Sequence, residues 1–71
     1  LMATVGDEVD APFGKAVVTA IRGDRIWFLY ADGSAGFDYE QDAPRKTGRH
    51  FPEIARALEQ VERGAENADI T

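Results

Sequence analysis

Two short turn signals, Gly23-Asp24 and Asp32-Gly33, constrain this chain more than any other feature, because each separates runs of residues suited to β-strands. Lys15-Ala16-Val17-Val18-Thr19-Ala20-Ile21 is rich in β-branched side chains, and Arg25-Ile26-Trp27-Phe28-Leu29-Tyr30 follows the first turn. The second turn leads into Ser34-Ala35-Gly36-Phe37-Asp38-Tyr39-Glu40. Tight hairpin turns need positive φ, which Gly tolerates and Asp accepts. Residues 15–40 therefore read as a three-stranded antiparallel meander.

The flanks complete the reading. A short first strand is expected at Thr4-Val5, resuming at Glu8-Val9, with Gly6-Asp7 as punctuation and Ala11-Pro12-Phe13-Gly14 as a loop. Asp42-Ala43-Pro44 ends the last strand, since Pro interrupts a ladder. Residues 45–51 read as a basic connector. Pro52 suits a first helical position, Glu53 suits the positive helix N-terminus, and Phe51, Ile54, Ala55, Leu58 and Val61 recur at helical spacing. Gly64 is a natural stop, so the spacing predicts one helix over 52–63 and a frayed tail over 64–71. The expected fold is mainly β with one C-terminal α-helix.

A chain of 71 residues makes one domain near the lower end of what folds without staples. It has no Cys, so its stability rests on an apolar core, and 44% hydrophobic residues suffice for one. The lack of Cys fits a cytoplasmic compartment. No run approaches the roughly 20 apolar residues of a membrane span, and residues 1–9 lack a signal peptide's apolar region. Net charge is −5, and residues 1–44 hold eight acids against Lys15, Arg22 and Arg25. A negative meander repels phosphate backbones, which counts against nucleic acid as a partner for the sheet.

Period two assigns faces. Ile26, Phe28 and Tyr30 share one, joined by Val17, Thr19 and Ile21 or alternatively by Ala16, Val18 and Ala20; Phe37 and Tyr39 are also expected inside. Trp27 and Leu29 then point outward. A helix this short needs a partner for its Phe51/Ile54/Leu58/Val61 stripe, and Trp27 with Leu29 is the economical seat.

The order Val5-Gly6-Asp7-Glu8-Val9, then Gly14 opening the Val17–Ile21 strand, then Ile26 to Tyr30 and Asp32-Gly33, resembles an SH3-like barrel, and more narrowly the Tudor/KOW-type barrels. The resemblance covers residues 4–42 and implies an adaptor that binds protein tails, polymerase subunits or nucleic acids. Tudor barrels that read methylated side chains use an aromatic cage. Period two separates Trp27 from Phe28 and Tyr30, so core packing accounts better for these rings, with Tyr30 and Tyr39 as the cage members if one exists.

Other chemistry is thinly supplied. Ser34 is the only Ser and His50 the only His, with no nucleophile-elbow sequence between them. Arg22-Gly23-Asp24 reads as turn chemistry rather than as a recognition tripeptide. Asp38, Glu40 and Asp42 fall at i, i+2 and i+4, on one face of an extended strand. The Gly that a calcium loop needs is missing, so the trio reads as a charge-protected edge or a negative patch for a basic partner. No catalytic residue, metal site or cofactor is expected. The function expected is a non-enzymatic protein-interaction adaptor that takes a basic or amphipathic segment on Trp27, Leu29, Asp38, Glu40 and Asp42. The alternatives are a self-assembling homo-oligomer, nucleic-acid contact through Arg45, Lys46 and Arg49, and, last, mimicry of DNA by the acidic surface.

Overall fold

The computed structural model describes residues 3–70, with the side chains of residues 3–64. Five strands form one antiparallel sheet: β1 (Asp7–Ala11), β2 (Gly14–Arg22), β3 (Arg25–Tyr30), β4 (Ala35–Tyr39) and β5 (Arg45–His50). A 3₁₀ turn (Glu40–Asp42) precedes β5, and α1 (Pro52–Ile70) follows it. The order across the sheet is β4-β3-β2-β1-β5, so the last strand returns to pair with the first. β4 and β5 are left as the two edges.

One face of the sheet carries the core, made of Val9, Ala11, Ala16, Val18, Ile26 and Phe28 with Ala3. Val5, Ile21, Tyr30 and Ala43 pack around it. The two period-two alternatives for β2 are both incomplete. The register jumps between Val18↔Phe28 and Ala20↔Trp27, so a bulge at Thr19 switches the faces. Ala16 and Val18 point inward before it, and Ile21 points inward after it, opposite Ile26.

β4 corrects a second expectation. Phe37 and Tyr39 lie outside, 53% and 41% exposed, while Gly36 and Asp38 take the inner positions. The cause is register. The Asp32-Gly33 turn sets Phe28 opposite Gly36, and a Cβ on Gly36 would lie 2.7 Å from Phe28 Cε1. The Phe28 ring thus fills the space a β4 side chain would use.

The region expected to be a basic connector is strand β5, and the strand expected at Thr4-Val5 begins only at Asp7. β5 is an edge strand, where polar residues fit, and it gives β1 its second partner. Gly48 at φ +98° and a register shift against Asp7 and Val9 bend it.

The helix begins at Pro52 as expected, with Ile54 and Ala55 N–H groups donating to the Phe51 carbonyl. It runs through Gly64, which lacks the positive φ of a stop, to Ile70; Thr71 lies outside the described residues. Its seat also differs. Phe51, Ala55 and Leu58 are half-buried, while Ile54 is flanking and Val61 is 70% exposed. Leu58 faces Thr4, Val5, Thr19 and Ala20 across a shallow groove, and Arg22 pairs with Glu62. Of the expected seat, Leu29 lines a groove with Phe51 and Ile54, whereas the Trp27 ring lies beside Phe37 at 6.4 Å.

Asp7 braces the corner where β1, β5 and the chain start meet. Its Oδ2 accepts the Thr4 N–H at 2.9 Å, and its Oδ1 lies 2.7 Å from His50 Nδ1. Burial alone would push the carboxyl up, but the Thr4 and His50 contacts outweigh it and hold it below the usual carboxylate range. A depressed folded value stabilises above the unfolded pKa, about 3.9, and that stabilisation fades as pH falls through the folded value. Asp7→Ala is therefore expected to lower stability by about 1–3 kcal/mol at neutral pH, by stranding the Thr4 donor and losing His50. Urea midpoints should show this deficit shrinking below about pH 4. A deficit of equal size at every pH would mean that the Asp7 charge does not brace the corner.

Candidate interaction surface

Among the described residues Phe13, in the turn between β1 and β2, and Val61, on the helix, are the most exposed large apolar side chains, and the outer face of β3 and β4 gathers several more side by side. Cross-strand pairing sets Trp27 opposite Phe37, Leu29 opposite Ala35 and Arg25 opposite Tyr39. Trp27 and Phe37 centroids lie 6.4 Å apart, and Phe37 and Tyr39 meet edge-on at 6.2 Å. The Arg25 guanidinium stands 5.9 Å from the Phe37 centroid and 5.6 Å from that of Tyr39, which is cation–π distance. Leu29, 43% exposed, continues the platform toward Val17 and Ile54 across a groove of about 290 Å³. Three rings, a leucine and one cation therefore form a surface two strands wide at the β4 edge.

The residues expected to bind a partner divide across this edge. Trp27 and Leu29 lie together on the platform. Asp38 is on the opposite face of β4, beside Ile26. Glu40 and Asp42 belong to the 3₁₀ turn, so the three carboxylates do not line one extended face. The chain leaves the strand there because Glu40 N–H donates to Asp24 C=O while Glu40 C=O accepts from Ala43 N–H, closing a turn. Among the described residues no three His, Cys, Asp or Glu side chains gather as a metal site.

Arg25 lies two residues before Trp27 and shares its face by period two, whereas Phe37 and Tyr39 belong to the platform although period two along β4 does not say which of its faces lies outside. The signal that points to them is Gly36: a glycine alternating with aromatics has no side chain to fill a core, so its neighbours face the other way.

Tyr30 and Tyr39 do not converge as a cage. Tyr30 packs edge-on to Phe28 at 5.7 Å and accepts the Phe13 N–H on its hydroxyl at 3.3 Å, whereas Tyr39 stands on the outer face. Beside Tyr30, Asp32 is held below the usual carboxylate range by the Ser34 hydroxyl and N–H that donate to it, a turn contact.

Of the basic residues of β5, Arg49 and His50 are drawn into pairings with β1. Arg49 reaches Glu8 at 3.8 Å and stands 5.1 Å from the Phe51 centroid. Thr47 donates to Glu8 at 2.8 Å. Lys46 is engaged as well. Arg45 sits at the exposed start of the strand. No helix among the described residues is long and apolar enough to cross a membrane. Set against protein-family models, curated protein sequences and solved structures, the chain matches none of them.

Proposed function

We propose that this chain is a non-enzymatic interaction module, an SH3-like small barrel that docks a basic or amphipathic segment of another protein on its outer face. The observation that carries the reading is the platform of exposed Phe37, Tyr39 and Leu29 around half-buried Trp27 at the β4 edge of the sheet. Large rings in water lose the stabilisation that burial gives them, roughly 1.5–3 kcal/mol for a Phe-sized side chain. A partner that covers them recovers it, and aromatic residues with Arg are the side chains on which binding energy concentrates. Asp24 and Glu40 are joined by a backbone hydrogen bond just beyond the Arg25–Tyr39 pair, and their charge, with the chain's net −5, favours a cationic partner. The SH3-like assignment draws support from β5 closing back on β1 after a 3₁₀ turn.

Trp27 is the only Trp, so its fluorescence reports on the platform directly. Segments selected from a displayed random-peptide library against the folded chain are expected to carry net positive charge and to shift that fluorescence. Phe37→Ala should weaken them by about 2 kcal/mol, roughly thirtyfold, and Trp27→Ala, read by calorimetry, should do the same, with folding of both variants checked by circular dichroism. Selected segments that bind both variants as tightly as wild type would remove the outer face from consideration.

A further inference from the structure

We infer that the segment docked on this face is an extended strand alternating apolar and basic residues, added to the open edge of β4. This rests on the outer face being the docking surface, and it follows from how the two edges of the sheet differ. β5 carries Arg45, Lys46, Arg49 and His50, is bent at Gly48 and shifts register against β1, all features that discourage another strand. β4 has none of them: it holds Ala35-Gly36-Phe37-Asp38-Tyr39 in unbroken register with β3.

The hydrogen bonds show which backbone groups face out. Tyr30 N–H donates to Ser34 C=O, and Glu40 N–H donates to Asp24 C=O. In an antiparallel pair bonded residues alternate with unbonded ones, so Ser34, Gly36, Asp38 and Glu40 bond to the β3 side. The backbone groups of Ala35, Phe37 and Tyr39 point away from the sheet. The Asp38 carboxylate already accepts the Tyr39 N–H at 2.9 Å, which leaves Ala35 and Phe37 as the open donors.

The two faces of this edge differ in charge, and that sets the partner's pattern. On the outer face an added strand meets Ala35, Phe37 and Tyr39, with the Arg25 cation already over both rings. A second cation there is repelled, so apolar side chains fit. On the inner face the added strand meets Gly36, which offers no side chain, and Asp38, whose carboxylate is held at the edge by accepting the Tyr39 N–H. A basic side chain fits there. Strand addition supplies main-chain bonds for affinity and leaves specificity to alternate side chains.

The test uses a nine-residue peptide alternating lysine and valine and a control of the same composition with the lysines and valines in separate blocks. The alternating peptide should bind about tenfold or more tightly than the block peptide, shift Trp27 fluorescence and protect the Phe37 amide from hydrogen exchange. Ala35→Pro removes an outward donor and spares the β3–β4 bonds, so it should abolish binding while the chain stays folded. Asp38→Asn should weaken binding severalfold. Equal binding of both peptides with Ala35→Pro tolerated would overturn strand addition yet leave the outer face as a docking surface. Strand addition is overturned in the same way if neither peptide binds while library-selected segments still do. Concentration-dependent protection of the Phe37 amide without peptide, lost in Ala35→Pro, would give the edge to a second copy and overturn the assignment.

Discussion

Replacing Gly6 with alanine is expected to cost about 2–5 kcal/mol, most of the stability of a domain this small. Gly6 sits where the chain entering β1 crosses the start of the helix. Its N–H donates to Val18 C=O at 2.9 Å, and its C=O accepts the Phe51 N–H at 2.9 Å. Its φ is +95°, which strains any L side chain by about 1–2 kcal/mol. A Cβ there would also lie 2.9 Å from the Phe51 carbonyl oxygen, 3.1 Å from His50 Cε1 and 3.2 Å from Ala55 Cβ. The carbonyl is backbone and cannot swing aside, so relief requires lifting the helix from the sheet.

Gly33 separates the two contributions. Its φ of +91° is nearly the same, but nothing lies within 4 Å of its would-be Cβ. Gly33→Ala should therefore show the strain alone, about 1–2 kcal/mol. Urea denaturation of the pair measures the excess at Gly6, which is the cost of crowding the crossing. Equal losses would mean that the helix does not depend on its seat over Gly6.

Gly6 also shows how far the sequence reaches. Gly6-Asp7 reads as punctuation within a strand, which locates a backbone irregularity but not what passes over it. The crossing joins residues more than forty positions apart, and no local pattern contains it. The meander was legible because its turns are local: Gly23-Asp24 and Asp32-Gly33 fix hairpins within a few residues. The helix start was legible for the same reason, through Pro52. β5 was hidden because Arg45-Lys46-Thr47-Gly48-Arg49-His50 has no apolar alternation, and an edge strand needs none. The candidate surface was half legible. Trp27 and Leu29 follow from period two along β3, whereas Phe37 and Tyr39 depend on the register between β3 and β4 and on one glycine. The acidic trio does not share one face because the chain past Tyr39 winds into a turn, where period two no longer applies.

The register that turns Phe37 outward is testable through Phe28. Phe28→Ala removes a buried ring from the core and is expected to cost about 3–5 kcal/mol, enough to leave a large fraction of the chain unfolded at room temperature. A gentler pair shows why. Gly36→Ala alone should destabilise by about 1–3 kcal/mol, because its Cβ would press on Phe28 Cε1 at 2.7 Å and Cζ at 3.3 Å. No backbone strain is involved, since Gly36 is not at positive φ. The contact is with a ring edge alone, so shortening that ring makes room. In a Phe28→Leu background the same Gly36→Ala change should cost at least about 0.5–1 kcal/mol less, the coupling expected of two groups in direct contact. Denaturant midpoints of the four proteins close the cycle. Strict additivity would mean that the ring does not occupy the inner slot of β4. The reason for Phe37 and Tyr39 standing in solvent would then lie elsewhere, and with it the origin of the outer aromatic surface. Strong coupling would tie that surface to a core contact: the chain exposes its aromatics on β4 because Phe28 has taken the space beneath them.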